Sequence, residues 1–136
     1  MQYGYFDNEK REYVIDNVAL PCFWTNYLGV EDMAAVINHT AGGYLFYKTP
    51  EYHRISRFRG NGVPMDRPGF YVYIRDNEKK DYHSISWQPV AKDLSKAKYR
   101  CRHGLSYTVY ESEYDGLASS QTMVIPCGEN VLLWDV

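Results

Sequence analysis

A chain of 136 residues, 45% hydrophobic and 24% charged, has the size and composition of one globular domain, which excludes a disordered or fibrous polypeptide. Its net charge of −2 supplies no positive field for a nucleic-acid backbone or an anionic membrane surface. Cys22, Cys101 and Cys127 are odd in number and lack CxxC spacing, so neither a disulfide framework nor a zinc site is indicated, and reduced, small, buried thiols are expected.

Fourteen Tyr, five Phe and three Trp make 16% of the chain aromatic. Tyr and Trp join a large apolar face to a polar tip and suit sheets, grooves and interfaces. The N-terminus lacks the basic and apolar regions of a secretion signal, and no run approaches the roughly 18 apolar residues of a membrane helix. A cytoplasmic protein is therefore expected, and the sequon Asn38-His39-Thr40 is then a coincidence.

In chain order, Tyr13-Val14-Ile15 is a short strand candidate, and the only stretch that admits a helical turn lies near Glu31 to Ala35. Ala34 to Asn38 and Tyr44 to Lys48 read as short strands, with Gly42-Gly43 as a flexible turn between them. Residues Glu51 to Asp66 are polar, rich in Arg and punctuated by Gly60, Gly62 and Pro64, the pattern of a long exposed loop.

Phe70 to Ile74 gives the clearest strand signal, entered through Pro68-Gly69 and closed by Arg75-Asp76-Asn77. Lys98 to His103 alternates polar and less polar residues, and Leu105 to Tyr114 puts Leu105, Tyr107 and Val109 on one face. With the turn signal Asp115-Gly116 and the alternating run Leu117 to Ile125, residues 105 to 125 predict an antiparallel hairpin. Val131 to Val136 is a strand-like apolar run whose open edge calls for a partner, either further polypeptide or a second chain.

The leading site candidate is Tyr52-His53-Arg54-Ile55-Ser56-Arg57-Phe58-Arg59, followed by Asp66-Arg67. Guanidinium forks suit phosphate or carboxylate, and the aromatics suit a sugar ring; the plain alternative is a solvated loop whose arginines pair with the chain's own acids. Ser84-Ile85-Ser86-Trp87-Gln88-Pro89 is either the edge of a sugar platform or a core Trp with its indole N–H satisfied.

Cys101 and His103 share a strand face, yet no third metal ligand has suitable spacing. Ser106 near His103 lacks a nucleophile elbow, and Gly60-Asn61-Gly62 lacks the third glycine of a nucleotide loop. Nothing local marks one of Glu51, Asp66, Asp76, Asp81, Glu111, Glu113 and Asp115 as a glycosidic acid, and most of them are read as surface charges.

Several blocks closely resemble the start of the cellobiose phosphorylases of glycoside hydrolase family 94, formerly glycosyltransferase family 36. They are Asn26 to Gly29, Asn38-His39-Thr40-Ala41-Gly42-Gly43-Tyr44-Leu45-Phe46-Tyr47 with its continuation to Tyr52, Arg57-Phe58-Arg59, Asp66 to Asp76, Ser84 to Val90 and Arg102 to Tyr107. The resemblance implies an all-β, antiparallel β-sandwich over residues 1–136, about half of a larger N-terminal super-sandwich, with the catalytic (α/α) barrel absent.

It further implies a segment of an inverting disaccharide phosphorylase that converts cellobiose and inorganic phosphate to α-glucose 1-phosphate and glucose, using phosphate as co-substrate and no metal or organic cofactor. The expected partners are a β-linked glucose disaccharide, the remainder of the phosphorylase polypeptide and a second subunit of a homodimer, with no nucleic acid and no membrane. The acid catalyst belongs to the absent barrel, so no catalytic residue is expected here; Tyr47, Arg54, Arg57 and Arg59 become candidate cleft or subunit contacts. The rival reading is a stand-alone carbohydrate-binding or interaction module without catalysis.

Overall fold

The computed structural model describes residues 2–57 and 68–136. Within them lie β1 (Gly4–Asp7), β2 (Glu12–Ile15), β3 (Thr25–Leu28), β4 (Met33–Asn38), β5 (Gly43–Tyr47), β6 (Tyr73–Asp76), β7 (Asp81–Ser84), β8 (Ala97–His103), β9 (Tyr107–Tyr114), β10 (Leu117–Val124) and β11 (Leu133–Asp135). The described residues contain no helix. Six strands form one antiparallel sheet in the order β1-β2-β8-β9-β10-β11; β3-β4-β5 form a second, and β6-β7 a two-stranded ribbon.

Alternation along each strand decides which side chains face inward. On β8, Ala97, Tyr99 and Cys101 are buried while Lys98 and Arg100 are exposed; on β4, Met33, Ala35 and Ile37 are buried. Ile15, Cys101, Tyr110 and Met123 of the larger sheet meet Leu28, Ala35 and Ile37 of the smaller one in a single core. Complete burial of one such large apolar side chain contributes about 1.5–3 kcal/mol, so these positions hold the two layers together. Tyr110 adds a directional link, donating its hydroxyl to the Asn38 carbonyl at 2.7 Å.

The all-β antiparallel sandwich agrees with the sequence. The β9-β10 hairpin pairs Tyr114 with Leu117 around Asp115 and Gly116, whose φ values of 52° and 81° match a type I′ turn. Other local expectations are corrected. No helical turn forms near Glu31: Gly29, at φ 85°, turns β3 into β4, and the backbone there pairs as a hairpin.

The run Phe70 to Ile74 is not one strand, because its backbone bonds go to several neighbours. Phe70 N–H donates to Ala41, its carbonyl accepts from Gln121 Nε2, and regular pairing starts only at Tyr73. Leu105 is 78% exposed and lies outside β9. Of the three thiols, Cys101 is buried but Cys22 and Cys127 are exposed.

Candidate functional site

The Arg-rich segment is held by backbone as soon as it leaves β5. Lys48 adopts φ 61° and reverses the chain, and its N–H donates to Asp32 O at 2.6 Å. Residues 53–56 then run back along β5: Tyr47 N–H donates to His53 O at 2.9 Å, Ile55 N–H to Leu45 O at 2.8 Å, and Leu45 N–H to Ser56 Oγ at 2.8 Å. The expected loop is therefore, over residues 53–56, an extra strand-like rung on the smaller sheet.

This register separates the candidate residues. Phe46 and Arg54 are directly opposed and share one face, continuing the outward row from Ala34. Tyr47 points to the other face, where its hydroxyl donates to Asp32 Oδ2 at 3.0 Å and Lys48 Nζ lies 5.3 Å from its ring centre. Tyr52, Arg54 and Arg57 are exposed. Arg59, together with Phe58, Asp66 and Arg67, lies outside the described residues.

The outward face of the smaller sheet is aromatic. Tyr27, Val36 and Tyr44 form one row across β3, β4 and β5, and the Tyr44 and Phe46 rings are 5.9 Å apart. Tyr27 is 70% exposed. Rings with a polar rim of this kind can contact a sugar or another protein surface.

Other sequence candidates resolve into structure. Trp87 packs on Val18, Ala97 and Tyr99 and donates its indole N–H to Lys92 O at 3.0 Å, the core reading of that segment. Cys101 Sγ lies 3.8 Å from the His103 ring nitrogens, and among the described residues no three His, Cys, Asp or Glu side chains gather to hold a metal. No described helix is long and apolar enough to cross a membrane.

Two features escaped the sequence reading. On the outward face of the larger sheet, Arg102 binds Glu12 at 2.9 Å and Glu111 at 3.1 Å, while Tyr107 donates its hydroxyl to Glu12 at 2.5 Å. Burial alone would lower the Arg102 pKa, yet the two carboxylates outweigh it and hold the group above its usual value. On the inward face, Ala97, Tyr99, Ser112 and Ser119 line a groove of about 650 Å³. Burial pushes Tyr99 up to about 12, and neither its hydroxyl nor that of Ser112 meets a partner among the described residues.

Residues 11–136 match the family described as glycosyl hydrolase 94, supersandwich domain. The chain belongs to this family. The supersandwich domain is 54% identical over its whole length to the N,N'-diacetylchitobiose phosphorylase of Vibrio proteolyticus and 53% identical to that of Vibrio furnissii. It is 30% identical, over 98% of its length, to the solabiose phosphorylase of Paenibacillus borealis. The domain spans 17% of the length of each of these relatives.

Proposed function

We propose that this supersandwich domain is the N-terminal part of an inverting phosphorylase that cleaves N,N'-diacetylchitobiose. The observation that carries the reading is 54% and 53% identity over the whole chain to two phosphorylases of that name, against 30% to a solabiose phosphorylase. Cellobiose, the disaccharide expected from sequence, has the same kind of β-bond but lacks the acetamido groups, and here it becomes the competing substrate.

In the proposed reaction an oxygen of inorganic phosphate attacks the anomeric carbon from the face opposite the leaving sugar. The glycosidic C–O bond breaks, a carboxylic acid protonates the departing oxygen, and the product is the inverted sugar 1-phosphate with one free sugar. Phosphate replaces the activated water of an inverting hydrolase, so one protein acid suffices and no metal or organic cofactor is called for.

Such an acid needs a raised pKa. The shifts resolved here for Asp81, Asp93 and Glu113 all run downward, and Glu12 already pairs with Arg102 and Tyr107. These groups fit a supporting role, with the acid supplied by the rest of a longer polypeptide.

In this reading the domain helps form a cytoplasmic homodimer and borders the sugar cleft through the turn that carries Tyr47, Arg54 and Arg57. The test is phosphate-dependent cleavage by the polypeptide purified from its source cell, offered N,N'-diacetylchitobiose and cellobiose in parallel. Sugar 1-phosphate from N,N'-diacetylchitobiose supports the proposal. Release from cellobiose alone would reassign the substrate, and sugar binding without cleavage would favour a carbohydrate-binding module.

A further inference from the structure

Two histidines from opposite layers, His39 buried and His103 partly buried, meet at Trp24. His39, at the end of β4, accepts the Trp24 N–H at Nδ1 (3.3 Å), and its Nε2 faces the Val18 carbonyl at 3.1 Å. His103, at the end of β8, puts Nε2 3.3 Å from the Trp24 carbonyl and Nδ1 3.0 Å from Thr108 Oγ1. The same Trp24 carbonyl accepts the His39 backbone N–H at 2.9 Å. Asn26 Nδ2 donates to Thr108 Oγ1 at 3.1 Å and to the carbonyls of Gly104 and Tyr107 at 2.9 and 3.1 Å.

The partners dictate the protons. A carbonyl only accepts, so His39 carries its hydrogen on Nε2; a backbone N–H only donates, so Nδ1 is bare. His103 likewise carries hydrogen on Nε2 towards Trp24 and accepts at Nδ1 from the Thr108 hydroxyl. The result is a one-way chain of bonds from Asn26 through Thr108 and His103 to Trp24, and from Trp24 through His39 to Val18. With both rings neutral it joins the larger sheet, the smaller sheet and the segment between β2 and β3.

We propose that His39 and His103 form an acid-released latch between the two sheets. A second proton on His39 would bring an N–H against the Trp24 N–H, so the ring cannot become cationic without releasing that bond. His103 is less strict, since the Thr108 hydroxyl can rotate to accept, but two cations would then face each other inside the sandwich.

Among the described residues no carboxylate offsets them. The titratable groups beside the pair among the described residues are the two rings themselves, Cys101 next to His103 on β8, Tyr13 of β2, which stands opposite His103 with its ring on Trp24, and Tyr110 on β9, whose hydroxyl donates to Asn38 O. Burial lowers the pKa of both rings, that of His103 to about 4, and no acid acts on either one. Acid therefore loosens the joint at Trp24, while the backbone pairing of β8, β9 and β10 does not depend on the protonation of either ring.

Hydrogen exchange at the Trp24 and His39 amides, corrected for the intrinsic rate, tests this between about pH 7 and 5. A released histidine takes up its proton below its ordinary pKa of about 6.5, so the opening equilibrium is nearly flat near pH 7 and, below about 6.5, its rise approaches tenfold per pH unit per histidine. His39→Gln keeps one donor and one acceptor without titrating, and its slope is expected to halve. Opening independent of pH, or an unchanged slope in His39→Gln, overturns the latch. Should the variant fail to fold, nitrogen NMR of the unsubstituted chain still decides: a cationic His39 in the folded state at about pH 6 overturns it, and a neutral Nε2–H ring supports it.

Discussion

Arg102 Nη1 stands 2.9 Å from Glu12 Oε1, a pair 90 residues apart in sequence that ties β8 to β2 on the outward face of the larger sheet. The Glu12 side chain is 1% exposed, so removing its partner strands a charge out of water. Arg102→Ala is expected to cost about 3 kcal/mol, read as a lower urea midpoint at unchanged slope. Replacing both residues with Met should recover most of that loss. Equal destabilisation in the single and double variants would show that the pair's packing, and not its charge, matters.

What the sequence disclosed follows the range of the interactions involved. The β9-β10 hairpin was legible because its turn, Asp115-Gly116, and its alternation are local. Strands β1, β3 and β7 were missed because little in them signals a strand. Asn26 of β3 has its place through Gly104, Tyr107 and Thr108, 78 to 82 residues away.

The candidate site was half legible. Arginines and aromatics between Tyr47 and Arg57 marked a surface, but which of them share a face depends on the Phe46-to-Arg54 register, which no spacing reveals. The Glu12 and Arg102 pair and the two histidines at Trp24 join residues too far apart in sequence for local patterns to connect.

Asp81 makes a prediction about pH. Its carboxylate accepts from Lys92 Nζ, from the Tyr114 hydroxyl at 2.6 Å and from the Tyr82 N–H at 2.8 Å, fastening β7 to β9 and to the segment before β8. Lys92 first, then Tyr114, holds its pKa well below the usual carboxylate range. A depressed acid stabilises the fold above its ordinary pKa of about 4 and loses that contribution as pH falls further. Asp81→Asn should melt lower at neutral pH, and its deficit relative to the unsubstituted chain should shrink steadily as pH falls from about 4 to about 2. Parallel melting curves across that range would refute the assignment. The window lies below that of the histidine latch, so the two effects separate.

Gly29 tests the β3-β4 turn. A Cβ built on it would lie 2.1 Å from the Met33 carbonyl oxygen, and its φ of 85° is one that side chains rarely adopt. Both the clash and the backbone conformation oppose Gly29→Ala, and backbone strain of this kind costs on the order of 1–3 kcal/mol before the clash is relieved. The expected result is a lower melting temperature, with faster hydrogen exchange in β3 and β4 than in β9 and β10. A variant as stable as the original would mean that the hairpin turns differently.

Arg54 separates function from stability at the candidate surface. It is exposed, and its backbone rung on β5 survives truncation of the side chain, so Arg54→Ala should leave the melting temperature within a few degrees. If the turn borders the sugar cleft of a phosphorylase, the same change in the longer polypeptide should lower kcat/KM for the disaccharide roughly tenfold or more, since one lost charge-assisted hydrogen bond is worth about 1.5–3 kcal/mol. Phe46→Ala, on the same face, should lose both stability and activity because its ring is half-buried. Full activity in Arg54→Ala at unchanged stability would make the residue a solvated surface charge and move the search for the cleft to the face that carries Tyr47 and Asp32.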